Sequence, residues 1–465
     1  MRDLVVFAIV MLSLPSCFRR PFYGLLMFSW LAYMRPQDLC WGFARTMRLS
    51  FFVAIAMVLG WWANESGRRP FANWSDFRSK CIVALGLFVA VSYAFAATHD
   101  GYTNTYFFEF LKILAIALFT SGQVTTRQRF RVLAWTIAIC LGFFGVKGGL
   151  WGVLTGGGSQ IIRGPGGMME DNNDFALALT MNIPLLWYLG NSEREHPIVG
   201  KLCKLCMALT AVAVLLTHSR GSFLAMTATA LWISWRSGKI VRAFGVLAIL
   251  GLLFPLIAPD AVLERLSTIG DTKESSASAR LRSWAAAFNM IQHNPVLGVG
   301  LRNFQSSYKE YAVYEVVNGT TYVAHNSYLQ IWAESGSVAF LIYLALLGSV
   351  FLASRRVFRM GRSRPDMHWA ADYARMMEAT TVGFMVGAFF LNRGHFDLIY
   401  HWFALLAGLI GVTNAAYRAD PSLAMVASKS GGDRRISVRW RPTSPQAAAV
   451  AGYAQAALTT WRRRS

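Results

Sequence analysis

The chain has 465 residues, 55% of them hydrophobic and only 15% charged, with a mean hydropathy of +0.38; this is too apolar for a water-soluble protein of its size. The formal net charge of +21 does not point to nucleic acid. The basic residues cluster between apolar runs, as in 127–131 (RQRFR) and 355–364 (RRVFRMGRSR), and in the tail from Arg418 to Ser465, the pattern of cytoplasmic loops attracted to anionic lipid headgroups.

In chain order, short apolar runs at 4–18, 21–34 and 49–63 come first, the first meeting Arg19 and Arg20 without a small-residue cleavage site. The N-terminus is therefore expected to stay attached. Longer runs follow at 81–97, 105–121, 132–155, 173–190, 205–217, 221–235, 243–258, 327–353, 373–391 and 398–417. Together they predict an all-α polytopic membrane protein with about 12 transmembrane helices. Cys17, Cys40, Cys81, Cys140, Cys203 and Cys206 all lie in or beside apolar runs, so no disulfide framework is indicated, and the lone CxxC of Cys203 and Cys206 reads as helix packing.

If the tail and 355–364 face the cytoplasm, the long segment 259–326 lies on the opposite side, and so by alternation do 98–104, 156–172, 218–221 and 392–397. In a bacterial inner membrane that side is the periplasm. The long loop is expected to be partly helical. Residues 278–295 (SARLRSWAAAFNMIQHNP) place Leu281, Trp284, Ala285, Phe288 and Ile291 at helical spacing before Pro295, and 297–316 offers a glycine-rich turn and a second helix. The domain organisation read from these features is an N-terminal membrane part (1–204), a core with the large loop (205–353), C-terminal membrane helices (354–417) and a basic, disordered tail (418–465).

Several residues on the predicted outer side carry chemistry. Asn326 is placed to cap the helix that begins AHNSYLQIWAESG (324–336), which sets His325 just before its start. Counting from His325, Leu329, Trp332 and Gly336 fall on one helix face, and Gly336 would admit a neighbouring helix or lipid chain. The positive end of the helix disfavours an imidazolium, so His325 suits a neutral base near pH 7; a helix cap or headgroup ligand is the alternative reading. Arg220 occupies a turn between two apolar runs on the outer side, where charge bias does not explain it; the alternative there is snorkelling to lipid phosphate. Arg265, Arg280, Arg282 and Arg302 lie in the long loop. Planar guanidiniums bind phosphate oxygens in pairs, so this set suggests a diphosphate site at the membrane surface, with solvated loop charge the alternative for each. Residues 161–174 (IIRGPGGMMEDNND) add Arg163 among glycines and acids that fit neither a calcium loop nor a two-metal site, and 392–397 (NRGHFD) add Arg393, His395 and Asp397. No nucleophile elbow, Walker loop, HExxH or dinucleotide fingerprint appears, which disfavours hydrolysis and nucleotide chemistry.

These residues carry a resemblance. Arg220 followed four positions later by Leu224, and His325 followed by ten residues and Gly336, are similar to the two signature patterns of the O-antigen ligase superfamily of membrane glycosyltransferases. SARLRSW, running through NPVLGVGLRNF to HNSYLQIWAESG, resembles the superfamily's ligase and polymerase domain over roughly 205–350. The N-terminal RRPFYGLLMFSWLAYMRPQDLCWGFA and GPGGMMEDNNDFALAL more narrowly resemble O-glycosylation ligases associated with exosortase A systems.

The resemblance implies a GT-C-like fold and a glycan donor on undecaprenyl diphosphate. It implies an acceptor hydroxyl on protein or lipid A core, no cofactor, and a site on the periplasmic side. By the same resemblance His325 is the general base and Arg220 and Arg280 hold the diphosphate; Arg163, Arg265, Arg282, Arg302, Asn326 and Arg393, from their own chemistry and position, are candidate substrate contacts. A diphosphate leaves without protonation at neutral pH, so guanidiniums can stand in for both metal and general acid. A polysaccharide polymerase of the same superfamily, and a lipid-linked glycan transporter, are the rival readings.

Overall fold

The computed structural model describes residues 1–96, 98–157, 160–192, 196–241, 275–314, 316 and 319–419. The predicted span 243–258, Arg265, the first part of the long loop and the tail from 420 onward lie outside the described residues.

The described residues form α1 (Arg2–Arg19), α2 (Pro21–Tyr33), α3 (Leu49–Asn64), α4 (Phe77–Ala94), α5 (Gly101–Gln123), α6 (Arg127–Leu154) and α7 (Asn172–Ser192). There follow α8 (Pro197–Leu216), α9 (Arg220–Arg236), α10 (Ser275–His293), α11 (Phe304–Tyr311), α12 (Ser327–Arg362), α13 (His368–Ala388) and α14 (Asp397–Arg418). Among the described residues α4, α5, α6, α8, α12 and α14 are long and apolar enough to cross a membrane, and α3 is a shorter apolar helix. The protein is thus an all-helical, multi-pass membrane protein.

The helix starts follow local chemistry. Asp100 and Thr103 close a reciprocal capping box on α5, Thr126 caps α6 and Ser219 caps α9, each satisfying amides that have no partner within the helix. Packing relies on small residues where backbones approach. Along α6, a Cβ at Gly149 would stand 2.1 Å from the Leu209 carbonyl of α8, and one at Gly145 2.2 Å from Thr210 Oγ1. Close backbone contact is how membrane helices associate when lipid is as apolar as their side chains.

α10, α11 and the first part of α12 build a cap with its own core: Ala286, Ala287, Met290, Ile291, Phe304, Tyr308, Leu329 and Ala333 are buried together. The second predicted helix of the long loop is thus real but short. The buried face of α10 is rotated from the expected one, because Leu281 and Phe288 are exposed. Ser283 Oγ and the Trp284 indole N–H instead donate to the carbonyls of Val323 and Ala324, at 2.6 and 3.0 Å. Two polar anchors and two alanines thereby bring α10 closer than larger side chains would allow.

α12 is also different from expectation. It is not one continuous helix: Gly336 has φ 79° and ψ 177°, so Gly336 does not extend the face of Leu329 and Trp332, and its close neighbour is loop backbone rather than another helix or lipid. The Ala333 and Glu334 carbonyls freed by the break accept from the amides of Val299 and Gly300, both at 2.9 Å, and the Ser337 amide donates to the Pro295 carbonyl at 2.9 Å. Ser92 of α4 adds its hydroxyl to Glu334 O at 3.0 Å. Beyond the break, Ser337 to Arg362 spans roughly 39 Å at about 1.5 Å per residue, enough for the ~30 Å hydrocarbon core of a bilayer.

A side chain at 336 should therefore be costly. Its Cβ would fall 1.9 Å from the Val296 carbonyl, at a positive φ that L side chains avoid. Gly336→Ala is expected to destabilise the protein by about 2 kcal/mol or more, read as a lowered unfolding midpoint in detergent; a wild-type midpoint would show that the break is dispensable.

Candidate functional site

The outer loops of the sequence reading gather at one end of the helices. The Ile161 amide donates to the Leu216 carbonyl at 2.9 Å, Asn172 Nδ2 to Thr217 O at 2.9 Å and Ser222 Oγ to Asn173 O at 3.3 Å; segment 161–174 is thus laid on the 217–222 turn. A Cβ at Gly221 would sit 2.7 Å from Phe390 Cβ, which packs that turn on segment 389–396. Ser327 Oγ donates to Leu391 O at 2.7 Å and accepts from the Arg393 amide at 2.8 Å. The Trp284 and Phe389 rings meet edge to face, 5.5 Å between centroids, bringing α10 to the same cluster.

Asn326 is the cap of α12, its Oδ1 accepting from the amides of Tyr328 and Leu329 at 2.9 and 3.1 Å. Its side-chain acceptor is therefore already engaged within the protein. His325 stands just outside the helix with φ 46°, half-buried. Burial first, and then the nearby Arg280 guanidinium, hold its imidazole below the ordinary histidine range, while the Asp171 carboxylate pulls the other way. A half-buried, neutral imidazole facing both a cation and a carboxylate is suited to accept a proton and to have the resulting charge answered.

The candidate arginines separate into groups. Arg280, on α10, lies close enough for its charge to depress the His325 imidazole. Arg220 is the first residue of α9, exposed, on the turn that packs against Phe390. Arg163 is exposed and its backbone bridges that of Asp171, the residue facing His325. Arg282 takes another direction, with its guanidinium 5.7 Å from the centre of the Tyr314 ring within the cap. Arg302, with φ 61°, lies 4.1 Å over the Tyr106 ring. Arg393 pairs with Asp174 of α7 and reaches Met168 Sδ at 3.8 Å, and the partner carboxylate holds it above the ordinary arginine range against the opposing effect of burial.

Beneath these lies a buried polar group formed by Gln330, Glu334 and His395. Gln330 Nε2 donates to Glu334 Oε2 at 3.3 Å and meets His395 Nδ1 at 3.5 Å, while Gln330 Oε1 accepts the Gly394 amide at 3.1 Å. Arg302 stands within charge range of both Glu334 and His395. Burial drives His395 down to about 3; it remains a neutral ring with its edge to Phe110 at 4.6 Å. The available signal was the i,i+4 pair of Gln330 and Glu334 in an apolar run, since polar groups at such positions require partners. Asp171 gave no comparable signal, because only folding brings segment 161–174 to His325.

Residues 205–344 match the model of the family described as O-Antigen ligase, and residues 1–194 match a family of unknown function. No curated protein matches the chain. The first match contains Arg220, Arg280, Arg302, His325 and Gly336 and supports the O-antigen ligase superfamily, hence a glycan-transfer or polymerase-related membrane enzyme.

The Arg393–Asp174 pair joins segment 389–396 to α7, with side chains only 17% and 7% exposed. Removing one partner from a buried pair leaves an uncompensated charge, so Arg393→Gln or Asp174→Asn should each cost about 3–5 kcal/mol. The double variant should lose less than the sum. Unfolding midpoints of the four proteins make the cycle; strict additivity would show that the pair is not coupled.

Proposed function

We propose that the protein is a glycosyltransferase of the O-antigen ligase type. It moves a glycan from undecaprenyl diphosphate to an acceptor hydroxyl on protein or lipid A core, at the periplasmic face of a bacterial inner membrane. The observation that carries this reading is the half-buried His325, held neutral beside Arg280, on the loop cluster that also includes the Arg220 turn. The family match over 205–344 supplies the reaction class, and the likeness of the N-terminal segments to exosortase-associated ligases favours a protein acceptor.

The chemistry needs few groups. His325 takes the proton of the acceptor hydroxyl as its oxygen attacks the anomeric carbon. The bond from that carbon to the diphosphate breaks, and its electron pair leaves on the diphosphate oxygen. Arg220 and Arg280 bind the diphosphate and stabilise the charge that develops there. With His325 serving as base rather than nucleophile, transfer proceeds by direct displacement with inversion at the sugar. Asp171 answers the imidazolium once it forms. Arg163, placed by its bridge to Asp171, lines the approach. Arg302 and Arg393, held by Tyr106 and Asp174, support the site from behind.

His325→Ala should lower transfer by on the order of 10²- to 10⁴-fold while donor binding persists. Arg220→Ala and Arg280→Ala should impair both, and lysine should restore little because it lacks the planar fork. A reconstituted assay with lipid-linked donor reads both quantities. Near-normal transfer by His325→Ala would favour a transporter, and ladders of repeat units would favour a polymerase.

The pH profile is a separate check. A base acts when unprotonated, so a lowered pKa keeps activity present as pH falls below the ordinary histidine value near 6.5. Activity is then lost as pH passes down through the shifted value. Arg280→Gln removes a cation that depresses this pKa and should move the acid limb to higher pH, whereas Asp171→Asn should move it lower. An acid limb unmoved by both variants would assign the titration to another group.

A further inference from the structure

At the opposite end of α12 and α13 from His325 lies a cavity of about 300 Å³, lined by Phe358, Arg362, His368, Ala371, Asp372 and Arg375. Its charge is unbalanced. The guanidiniums of Arg375, Arg236 and Arg362 stand 4.6, 5.4 and 5.8 Å from the centre of the single Phe358 ring. Three cations around one ring repel one another at this range unless anions intervene. Glu378 answers Arg236 at 2.9 Å, with Arg355 and Arg375 in charge range of the same carboxylate. Asp372 is the acid in the lining itself. Among the described residues, Arg236, Arg355 and Arg375 thus all act on the one carboxylate of Glu378.

Two further features favour an anion. Arg375 Nε is buried and has no hydrogen-bond partner among the described residues, an expensive state for a charged donor. α13 also begins here: His368, Ala371 and Asp372 belong to its first turns, and Met367 offers no side-chain cap, so the positive end of a 21-residue helix borders the cavity. A guanidinium stacked on an aromatic face keeps its edge free for paired hydrogen bonds.

We propose that this cavity binds a phosphate group, held between the edges of Arg362 and Arg375 over Phe358. The headgroup of an anionic phospholipid and a soluble phosphate share the chemistry recognised here, and the test distinguishes these two sources. A position at the end of a membrane-length helix is where lipid headgroups lie. The site is independent of the transfer chemistry at the other end.

The test uses the full chain in detergent, titrated with phosphatidylglycerol, with diacylglycerol of the same chains, or with inorganic phosphate. Bound adducts are counted by native mass spectrometry and stability is followed by unfolding midpoint. Phosphatidylglycerol should bind and stabilise while diacylglycerol does neither. Stabilisation by inorganic phosphate alone would assign the site to a soluble ligand and still support phosphate recognition. Arg362→Gln, an exposed position whose substitution should leave folding intact, should weaken binding by on the order of tenfold. Arg375→Lys, which keeps the charge, should also weaken it. Arg359→Gln, exposed on the same helix and outside the lining, should not. Equal binding by wild type and Arg362→Gln, equal weakening by Arg359→Gln, or equal binding of diacylglycerol would each overturn the proposal.

Discussion

The break in α12 governs the end of the protein that carries the candidate site. A helix that stops within an apolar run exposes carbonyl oxygens to surroundings without water, and each must find a donor. α12 finds them in one place: the amides of Val299 and Gly300 and the hydroxyl of Ser92 close on Ala333 and Glu334. The same clasp brings α4, the cap and α12 together. It fixes the short piece from Ser327 to Ser335 against the cap core through Leu329 and Ala333, and so determines where His325 stands at that piece's start.

With the backbone held in this way, electrostatics divides the polar side chains by task. Arg393 is matched by Asp174 and Arg302 lies on Tyr106, so these cations are partnered within the protein. His395 is buried so completely that it stays neutral, and Gln330 joins it to the Gly394 amide, meeting the ring with Nε2 and accepting that amide on Oε1. His325 is only half-buried and faces Arg280 and Asp171. Two histidines in one cluster thus differ in kind: one is locked by desolvation, and the other is poised where a modest change in environment decides its charge.

Cations stand at both ends of α9. α9 begins with Arg220 at the loop cluster and ends with Arg236, which pairs with Glu378 at the opposite end. Charge gathers at helix ends because charge within the hydrocarbon is costly. The two ends nevertheless differ in composition. The loop cluster combines guanidiniums with histidines and several carboxylates, whereas the cavity at the other end is lined by guanidiniums with one carboxylate and one histidine.

The sequence alone determined the helical, membrane-embedded class, because apolar runs of this length have few other solutions. It also determined most helix boundaries and the role of Asn326 as a cap, and it singled out His325, Arg220 and Arg280 as candidates, since order and spacing along the chain carry that information. Tertiary structure alone decided the break at Gly336, the rotated face of α10 and the partners of Arg282, Arg302 and Arg393. Each depends on residues far apart in the chain: Val296 against Gly336, Val323 and Ala324 against α10, Asp174 against Arg393. Helical periodicity reports which face of a helix is apolar; which polar atoms will reach across to it is set by packing, and that is why the candidate residues were legible in the sequence while their partners were not.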